Sequence, residues 1–434
     1  MTPNAAKAIY GSAIKNREIF RKNDFQEIGE NEPGITAEKD PEVHRQIAKQ
    51  LVPAFSAKSL RKQEDVIHQH VDGFVAQLRK HAMTDDWLDW LIFDIAGDMA
   101  YGRQFEQVKN LKSSTFLSTF GKVGLWGTTN QVTRRFRMLR PFVWFLIPPS
   151  VVLTVPTLLR LNRQEIRRRM SQRDEIKHPD YVEQLLPKDG KPDPTEDWIL
   201  AQANVFIVAG FDPMTNLISS ALYYLLTNTD KYGHARKEIR EEFAEYNDIT
   251  GDRLQTMKYL QAVIDESLRL HTNAAFGLPR VSPGYDVDGN FVPPGVCIFK
   301  EFCLFGLKLD LTRRKKVTVQ TCSFATTHSE RYFNDARSFH PERWLSSSHP
   351  LYNPRYESDD RRAFTPFSQG PRGCPGSSAG YLQGRIILAK LLWSFDMELT
   401  NKDAIDWEKD IKMFAIWIRP DLLVRVRPAN GNKT

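Results

Sequence analysis

One short loop holds a phenylalanine, an arginine and a cysteine, and the cysteine is a residue type that can bind a metal as a thiolate. It spans residues 367–376, reads FSQGPRGCPG, and contains three glycines and two prolines. This composition leaves little room for helix or strand and predicts a tight loop. The stretch from Tyr381 to Phe395 is rich in Leu, Ile and Ala, so we expect the loop to lead into a buried helix.

Cys374 lies just before the start of that predicted helix. Unpaired N–H groups and the helix dipole favour negative charge at such a position, so we expect a thiolate, which is a metal ligand. Pro375 has no N–H, and donors to the sulfur must therefore come from Gly376 onward. A lone cysteine in such a loop is more often a buried structural residue, so the rest of the motif decides the interpretation.

The loop resembles Phe-x-x-Gly-x-Arg-x-Cys-x-Gly, the haem-ligand loop of the cytochrome P450 family of haem-thiolate monooxygenases. The resemblance implies that Cys374 is the axial iron ligand of a haem b group, that Arg372 pairs with a haem propionate, and that Phe367 covers the sulfur. Gly370 and Gly376 match the family's glycine positions in this cofactor-binding loop. These roles are physically reasonable, because a buried propionate needs a cation and a ring over the sulfur limits water.

A helix predicted over residues 40–55 resembles the family helix that holds the haem propionates. It opens with an aspartate that can cap it and a proline that suits its first turn. His44 matches the first propionate-binding position, whereas the second is Ala48, where the family usually has arginine. Arg45 and Lys49 are the alternatives for the missing charge, and a partly exposed helix histidine is the alternative for His44.

The longest predicted helix covers residues 193–228. Asp193 can cap it and Pro194 suits its first position. Residues 199–226 are apolar on nearly all sides, so the helix must cross the core. Pro213, in its middle, removes an N–H and opens a local groove.

That middle segment resembles the family's oxygen-binding groove, whose pattern is Ala/Gly-Gly-x-Asp/Glu-Thr-Thr/Ser. Ala209, Gly210 and Asp212 match it, whereas Pro213 replaces a threonine whose hydroxyl organises proton delivery to dioxygen. The resemblance implies catalytic roles for Asp212 and Thr215 and a substrate contact at Ala209. We therefore expect an enzyme that is poorly coupled or that uses a substrate hydroxyl for proton delivery.

Glu266 and Arg269 are one turn apart in a helix predicted over residues 259–270 and share a face. Such a pair is usually a surface ion pair worth less than about 1 kcal/mol. Here it resembles the family's Glu-x-x-Arg pair, and the FHPERW stretch that contains Arg343 resembles the family's Pro-Glu-Arg-Phe segment. The resemblance implies that Glu266, Arg269 and Arg343 form a buried network with a structural role.

The turn after this helix enters the substrate pocket in the family, which makes Ala274, Ala275 and Phe276 candidate substrate contacts.

Two strands and a long connection are predicted next. Residues 281–292 predict a hairpin that turns at 288–290, and residues 317–323 predict a returning strand. Residues 296–316 intervene, although a hairpin connection normally has about 2–5 residues. We therefore expect residues 296–316 to be an insertion, poorly packed at the surface.

The remaining elements follow from periodicity and composition. A short helix is predicted over residues 4–10 and longer ones over 63–78 and 87–102. Residues 161–177 predict a basic helix with a solvated surface. Residues 410–427 alternate and predict a terminal hairpin.

The amino-acid composition limits the number of domains and indicates the redox state of the cellular compartment. The chain has 434 residues, of which 41% are hydrophobic, enough for one large domain or two to three ordinary ones. Its four cysteines show neither zinc spacing nor a disulfide framework, which favours a reducing compartment.

The charge is moderately basic, at +7 from 60 basic and 53 acidic residues. No nucleic-acid recognition motif accompanies it, so we expect no nucleic-acid partner. A solvated surface is the first interpretation, and a docking face for an acidic electron donor is the sharper one.

No signal peptide and no apolar run long enough for a membrane span stands out. Residues 142–159 come nearest, but three prolines interrupt them, which favours peripheral membrane contact. In the family, a membrane anchor, a first helix and first strands precede such a sequence. We therefore expect an N-terminally incomplete version of the fold, the alternative being a short soluble form. By resemblance to the family, the protein would be located at the cytoplasmic face of the endoplasmic reticulum membrane.

The resemblance covers nearly the whole chain and implies a mainly α fold with a minor β-sheet, one cytochrome P450 domain over residues 1–434. By resemblance to fungal members, the function is insertion of one atom of dioxygen into a small apolar organic substrate, in secondary metabolism. Electrons would come from NADPH-cytochrome P450 reductase, and the chain would act as a monomer. The alternative is a haem-binding protein with impaired or no turnover.

Overall fold

The computed structural model describes residues 2–11, 18–24, 32–81, 87–152, 154–172, 178, 180–186, 194–294 and 319–429. These residues belong to two compact units. The first comprises Met1–Glu27, Ile35–Lys49 and Asp265–Ser377, and the second comprises Ile28–Gly34, Gln50–Ile264 and Ser378–Thr434. The prediction that residues 1–434 form a single family domain stays a prediction, and the expected insertion at 296–316 lies outside the described residues.

The helices are, in chain order, α1 (Pro3–Tyr10), α2 (Pro41–Leu51), α3 (Ala57–Lys80), α4 (Trp87–Tyr101), α5 (Gln107–Asn110), α6 (Thr115–Phe120), α7 (Val123–Arg135), α8 (Val143–Leu146), α9 (Pro149–Val152), α10 (Thr154–Ser171), α11 (Tyr181–Leu185), α12 (Glu196–Thr227), α13 (Thr229–Glu242), α14 (Gly251–Leu254), α15 (Lys258–Leu270), α16 (Ser323–Thr327), α17 (Ser377–Ser394) and α18 (Trp407–Asp410). The strands are β1 (Arg21–Lys22), β2 (Arg280–Val281), β3 (Tyr285–Val287), β4 (Asn290–Val292), β5 (Phe395–Leu399), β6 (Lys412–Phe414), β7 (Ile416–Ile418) and β8 (Val424–Pro428). The prediction of a mainly helical fold with a minor sheet is confirmed.

The core of the second unit forms where α12 packs on α4. Nearly every residue of α4 is buried, as its apolar sequence predicts. Gly210 lets the two helices approach closely, because a Cβ at this position would lie 3.2 Å from the Cβ of Ala96. Phe93 meets Phe211 edge to face with ring centroids 5.5 Å apart, an arrangement that aromatic pairs prefer.

Helix α12 begins later than the sequence predicts. The hydroxyl of Thr195 accepts from the N–H of Trp198 at 3.2 Å and so caps the helix, whereas Asp193 lies outside the described residues. Thr195 satisfies one of the free N–H groups of the first turn, as the usual cap does. α12 is also long and apolar enough to cross a membrane, but 67% of its apolar window is buried, which is typical of a core helix.

The first unit carries a tight hairpin. Strands β3 and β4 pair antiparallel, and Asp288 and Gly289 between them have φ of 56° and 73°. Two left-handed residues are what a two-residue hairpin turn with matching twist requires. The hairpin predicted to turn at 288–290 is therefore confirmed.

The predicted strand over residues 317–323 is wrong in its described part. Val319 makes an isolated bridge to Arg280, and α16 begins at Ser323 with Cys322 as its N-cap. The end of this segment therefore caps and begins a helix and does not pair as a strand.

Two further predictions concern the second unit. The terminal hairpin predicted over 410–427 is confirmed for residues 412–418, where β6 pairs with β7, whereas β8 pairs with β5. The basic helix α10 is not solvated throughout, because Arg169 is only 3% exposed and forms an ion pair with the fully buried Asp180 at 2.5 Å. A charge run read from sequence cannot show which of its members has a buried partner.

Candidate functional site

The cysteine loop is held closed by its own backbone. The N–H of Cys374 donates to the carbonyl of Phe367 at 2.8 Å, and that of Gly373 donates to Gly370 at 3.0 Å. Residues Gly370–Arg372 form a 3-10 turn, and Ser368 has a left-handed φ of 58°. Phe367, Arg372, Cys374 and Gly376 therefore lie on a single folded loop of the first unit.

Gly370 is required by the packing of this loop. Its φ of 74° is one that residues with a Cβ rarely adopt. A Cβ placed there would lie 2.1 Å from the carbonyl oxygen of Tyr10 at the end of α1. The glycine thus lets the loop lie against the end of α1.

Cys374 is exposed to solvent in surroundings that do not favour a free thiolate. Desolvation by the surrounding protein raises the pKa of its thiol, and a hydrogen bond from the N–H of Gly376 only partly offsets this effect. The thiolate expected at this helix N-terminus stays a prediction. A thiolate here needs a cation at the sulfur, as a coordinated metal ion provides.

Arg372 is fixed by backbone carbonyls. Its Nη1 donates to Glu38 at 2.6 Å and its Nη2 to Lys39 at 3.1 Å. Its Nε is buried and has no hydrogen-bond partner, and desolvation lowers the pKa of the guanidinium. Buried polar groups are normally paired, so this N–H marks a place for an acceptor.

Three more basic side chains act on one another and on Arg372, and we call Lys22, His44, Arg280 and Arg372 the basic nest. His44, on α2, is 8% exposed, and its pKa is lowered to about 3 by burial and then by Lys22, Arg372 and Arg280. Burial and the two arginines also lower the pKa of Lys22 to about 6. Mutual repulsion among buried bases implies a site for an anion.

Lys22 and Arg280 were missed by sequence reasoning. Strands β1 and β2 place them directly opposite each other in antiparallel register. Such long-range pairing leaves no local signal in the sequence. Arg45 and Lys49, the alternatives that sequence reasoning offered, are both exposed on α2, and Arg45 is engaged by Glu42 at 2.8 Å.

The structure brings Glu266, Arg269 and Arg343 together in the first unit. Glu266 and Arg269 are fully buried and lie 2.8 Å apart, and Arg343 Nε donates to Glu266 Oε1 at 3.0 Å. Trp344 also donates to Glu266 at 3.0 Å, and Arg343 also pairs with Asp359. Each carboxylate oxygen of Glu266 thus has charged or aromatic N–H donors, as a buried charge requires.

The three candidate substrate residues follow α15 in a turn. Ala275 is 7% exposed, and its carbonyl accepts from the N–H of Phe324 at 3.0 Å. The carbonyl of Phe276 accepts from Gln320 at 2.8 Å. Ala274 and Phe276 are half-buried, so each retains accessible surface.

Asp212, Thr215 and Ala209 lie in the second unit, on α12. Ala209 is exposed in the middle of this otherwise buried helix, and Pro213 has no N–H to donate to its carbonyl. The buried hydroxyl of Thr215 donates to the carbonyl of Phe211 at 2.9 Å. The hydroxyl proton is therefore used within the helix.

Asp212 lines a cavity of about 410 Å³ within the second unit, together with Asp89, Arg419 and apolar side chains. Burial raises the pKa of Asp212 to about 6, although Arg419 and Asn216 oppose the shift. Arg419 itself pairs with Asp89 at 2.9 Å. Asp212 is thus an acid that can exchange a proton near neutral pH.

A profile of the Cytochrome P450 family matches residues 1–305 and 309–423. The chain belongs to the cytochrome P450 family.

Fungal relatives agree with this assignment. Cytochrome P450 monooxygenase poxC of Penicillium oxalicum is 37% identical over 98% of this chain and 78% of its own length. Cytochrome P450 monooxygenase TwmD of Talaromyces wortmannii is 34% identical over 99% of this chain and 81% of its own length. Cytochrome P450 monooxygenase BOA3 of Botryotinia fuckeliana is 32% identical over 96% of this chain and 79% of its own length. The chain is an oxidoreductase of the monooxygenase class.

P450 enzymes carry a haem-thiolate group, use a redox partner and bind organic substrates. The residues of the first unit fit this group on two counts. Cys374 is an exposed residue on a loop that backbone hydrogen bonds close, and the basic nest with its unpaired Arg372 Nε suits carboxylates. Among the described residues no cluster of three His, Cys, Asp or Glu could hold a metal ion, and a porphyrin iron needs only one such ligand from the protein.

Proposed function

We propose that this P450 inserts one atom of dioxygen into a small apolar organic substrate, with haem b as its cofactor. NADPH-cytochrome P450 reductase is the proposed electron donor, secondary metabolism the proposed setting, and a monomer the proposed active form. The observation that carries the proposal is the presence, within one compact unit, of the exposed residue Cys374 and the basic nest.

The loop residues have separate tasks in this proposal. Cys374 holds the iron, and Arg372 offers a charged donor to a propionate. Phe367 covers the sulfur and limits water around it, which tunes the reduction potential. When bound, haem supplies the binding and activation of dioxygen. Glu266, Arg269 and Arg343 stabilise the core of the first unit and take no part in the catalytic reaction.

Proton delivery falls to Asp212 and Thr215 in this proposal. With a pKa of about 6, Asp212 can give up a proton near neutral pH and take another from water. Thr215 has its hydroxyl proton engaged by Phe211, so it can act only as an acceptor in this rotamer. Pro213 supplies no hydroxyl, and poor coupling or help from a substrate hydroxyl is expected.

Ala209, Ala274, Ala275 and Phe276 are the proposed substrate contacts. Small and aromatic apolar side chains suit an apolar substrate, which is held mostly by buried area. No single group among them fixes an orientation, so the substrate class stays broad.

A segment of the second unit supports peripheral membrane contact. Met138 and Phe145 are 88% and 87% exposed, and Phe136 and Phe142 are more than half exposed. The same segment carries Arg134, Arg135, Arg137 and Arg140 in the sequence. Exposed apolar side chains in a stretch whose sequence is basic suit an anionic lipid surface, and the cytoplasmic face of the endoplasmic reticulum is the proposed location.

A haem-binding protein with impaired turnover is the second candidate, favoured by Pro213 and by the engaged hydroxyl of Thr215. One experiment separates the two. The purified chain is mixed with the reductase, NADPH and a panel of apolar compounds under labelled dioxygen. An enzyme incorporates one labelled atom into product with substrate-dependent NADPH use, whereas a binder retains haem and consumes no NADPH in response to any compound.

A further inference from the structure

Two basic residues face each other across a short strand pair in the first unit. Lys22 of β1 and Arg280 of β2 are direct partners in antiparallel register. Like charges directly opposite each other destabilise a strand pair, and burial increases the repulsion. Arg280 is 4% exposed and Lys22 is half-buried, so solvent screens this repulsion poorly.

The ammonium of Lys22 is positioned by the backbone. Its Nζ donates to the carbonyls of Ile35 and Thr36 at 2.8 and 2.7 Å. These carbonyls precede those of Glu38 and Lys39, which hold Arg372. One short segment therefore fixes two cations side by side. As an ammonium, the form that a bound anion favours, Lys22 has three N–H donors, and the two carbonyls leave the third for a further acceptor.

Local carboxylates leave the nest undercompensated. Glu38 attracts both Lys22 and Arg372, yet burial and the arginines outweigh it and the pKa of Lys22 falls to about 6. Asp40, which is exposed, also attracts Arg372. Among the described residues, two guanidiniums, one amine and one imidazole thus face two carboxylates. A ligand with two negative charges would reverse the repulsion, and haem brings two propionates.

Helix α2 provides only one basic side chain to the basic nest. His44 faces the nest from α2, but the position one turn later is Ala48, which has no charge to offer. Arg45 and Lys49 are exposed, so neither replaces it. Lys22 supplies a half-buried amine from β1 instead.

We propose that Lys22 is a haem-propionate ligand, which provides with Arg280 and Arg372 the positive charge that Ala48 does not. This inference rests on the proposed haem-dependent function. Lys22 is a binding residue and takes no part in proton transfer or oxygen chemistry.

The first test measures how fast haem leaves the holoenzyme for an excess of a haem-free globin, followed by absorbance. Lys22→Met removes the charge at nearly constant volume, Lys22→Arg keeps it, and Lys58→Met removes an exposed lysine from α3. If Lys22 makes a charge-assisted hydrogen bond to a propionate, Lys22→Met should lose haem about tenfold to a hundredfold faster than wild type does. The rate of haem loss from Lys22→Arg should remain within about threefold of the wild-type rate. The rate from Lys58→Met should equal the wild-type rate.

The second test removes the propionate charge from the other side. Apoprotein is reconstituted with haem or with haem dimethyl ester, whose propionates are neutral. If Lys22 pairs with a propionate, wild type and Lys22→Met lose the ester at equal rates. A persistent difference with the ester would mean that Lys22 acts only on the fold, which overturns the proposal.

Failure of this inference differs from failure of the proposed function. Wild-type protein that holds haem through Cys374, with Lys22→Met losing haem equally slowly, contradicts the role of Lys22 alone. Wild-type protein that takes up no haem contradicts the proposed function itself. Circular dichroism of Lys22→Met before the transfer shows whether it has folded.

Discussion

The backbone N–H of Cys374 donates to the carbonyl of Phe367 across 2.8 Å. This bond joins the first and eighth residues of the loop, so the backbone at Phe367 and at Cys374 is fixed by a single closure. The left-handed residues Ser368 and Gly370 between them make that closure possible. Preorganisation of this kind lets a ligand bind without ordering the loop first.

Gly370→Ala should destabilise the protein through two separate effects. A left-handed alanine costs about 1–2 kcal/mol, and the Cβ would also lie 2.1 Å from the Tyr10 carbonyl oxygen, for a total of about 3 kcal/mol or more. Gly289→Ala is the matched control, since Gly289 has nearly the same φ but no atom within 4 Å of a Cβ. Thermal unfolding and haem content measure both variants. Equal effects would show that the contact with α1 is unimportant.

Glu266→Gln should lower the free energy of unfolding by about 3–5 kcal/mol, because it leaves the buried Arg269 without a carboxylate and Arg343 with that of Asp359 alone. The control is Glu398→Gln, which breaks an exposed pair with Arg425 and should cost less than about 1 kcal/mol. Denaturant unfolding measures both. A small loss at Glu266 would mean that Arg343 is compensated by Asp359 alone.

Acid should reveal the same network. Burial would raise the pKa of Glu266, but Arg269 and Arg343 outweigh burial and hold it below its ordinary value of 4.5. The stabilisation is therefore complete above pH 4.5 and is lost as the pH falls through the lower folded pKa. Unfolding curves of wild type should converge toward those of Glu266→Gln in that acid range, and curves that stay parallel would exclude the shift.

Asp212→Asn should lower the rate of product formation by about a hundredfold and divert reducing equivalents to hydrogen peroxide. In wild type, the share recovered as product should fall as the pH rises through about 6, because the acid loses its proton. The Asn variant should lack this dependence. Thr215→Ala is compared with Thr227→Ala, whose hydroxyl bonds a helix carbonyl in the same way at 2.7 Å. Equal peroxide yields from both threonine variants would remove Thr215 from the pathway.

The double variant Met138→Ser, Phe145→Ser should bind anionic lipid vesicles at least about tenfold more weakly, since burying each of these side chains contributes about 1.5–3 kcal/mol. Phe291→Ser is the control, because Phe291 is 68% exposed on the hairpin of the first unit. Vesicle co-sedimentation measures the binding. Unchanged binding of the double variant would exclude this segment as the contact.

The sequence predicts most strongly those elements whose signal is local. The apolar run of α4, the 3.6-residue period of α15 and the Asp288-Gly289 turn each specify their own structure. Partners that are distant in the chain carry no such signal. Lys22 is one of 60 basic residues, and only the pairing of β1 with β2 shows that it faces Arg280.

Competing local signals also limit what can be predicted. Asp193 and Thr195 are both good caps, and the structure uses Thr195 for α12. Cys322 has strand-forming neighbours, yet it caps α16. The thiol pKa of Cys374 depends on how much protein surrounds it, and a dipole argument from the sequence does not contain that quantity.

The most direct test of the account is a reduced carbon-monoxide difference spectrum of the purified chain and of Cys374→Ser, with Cys322→Ser as the cysteine control. The account predicts a thiolate-type Soret band in wild type and in Cys322→Ser, and its loss in Cys374→Ser. The same band in Cys374→Ser, or no haem in wild type, would contradict it.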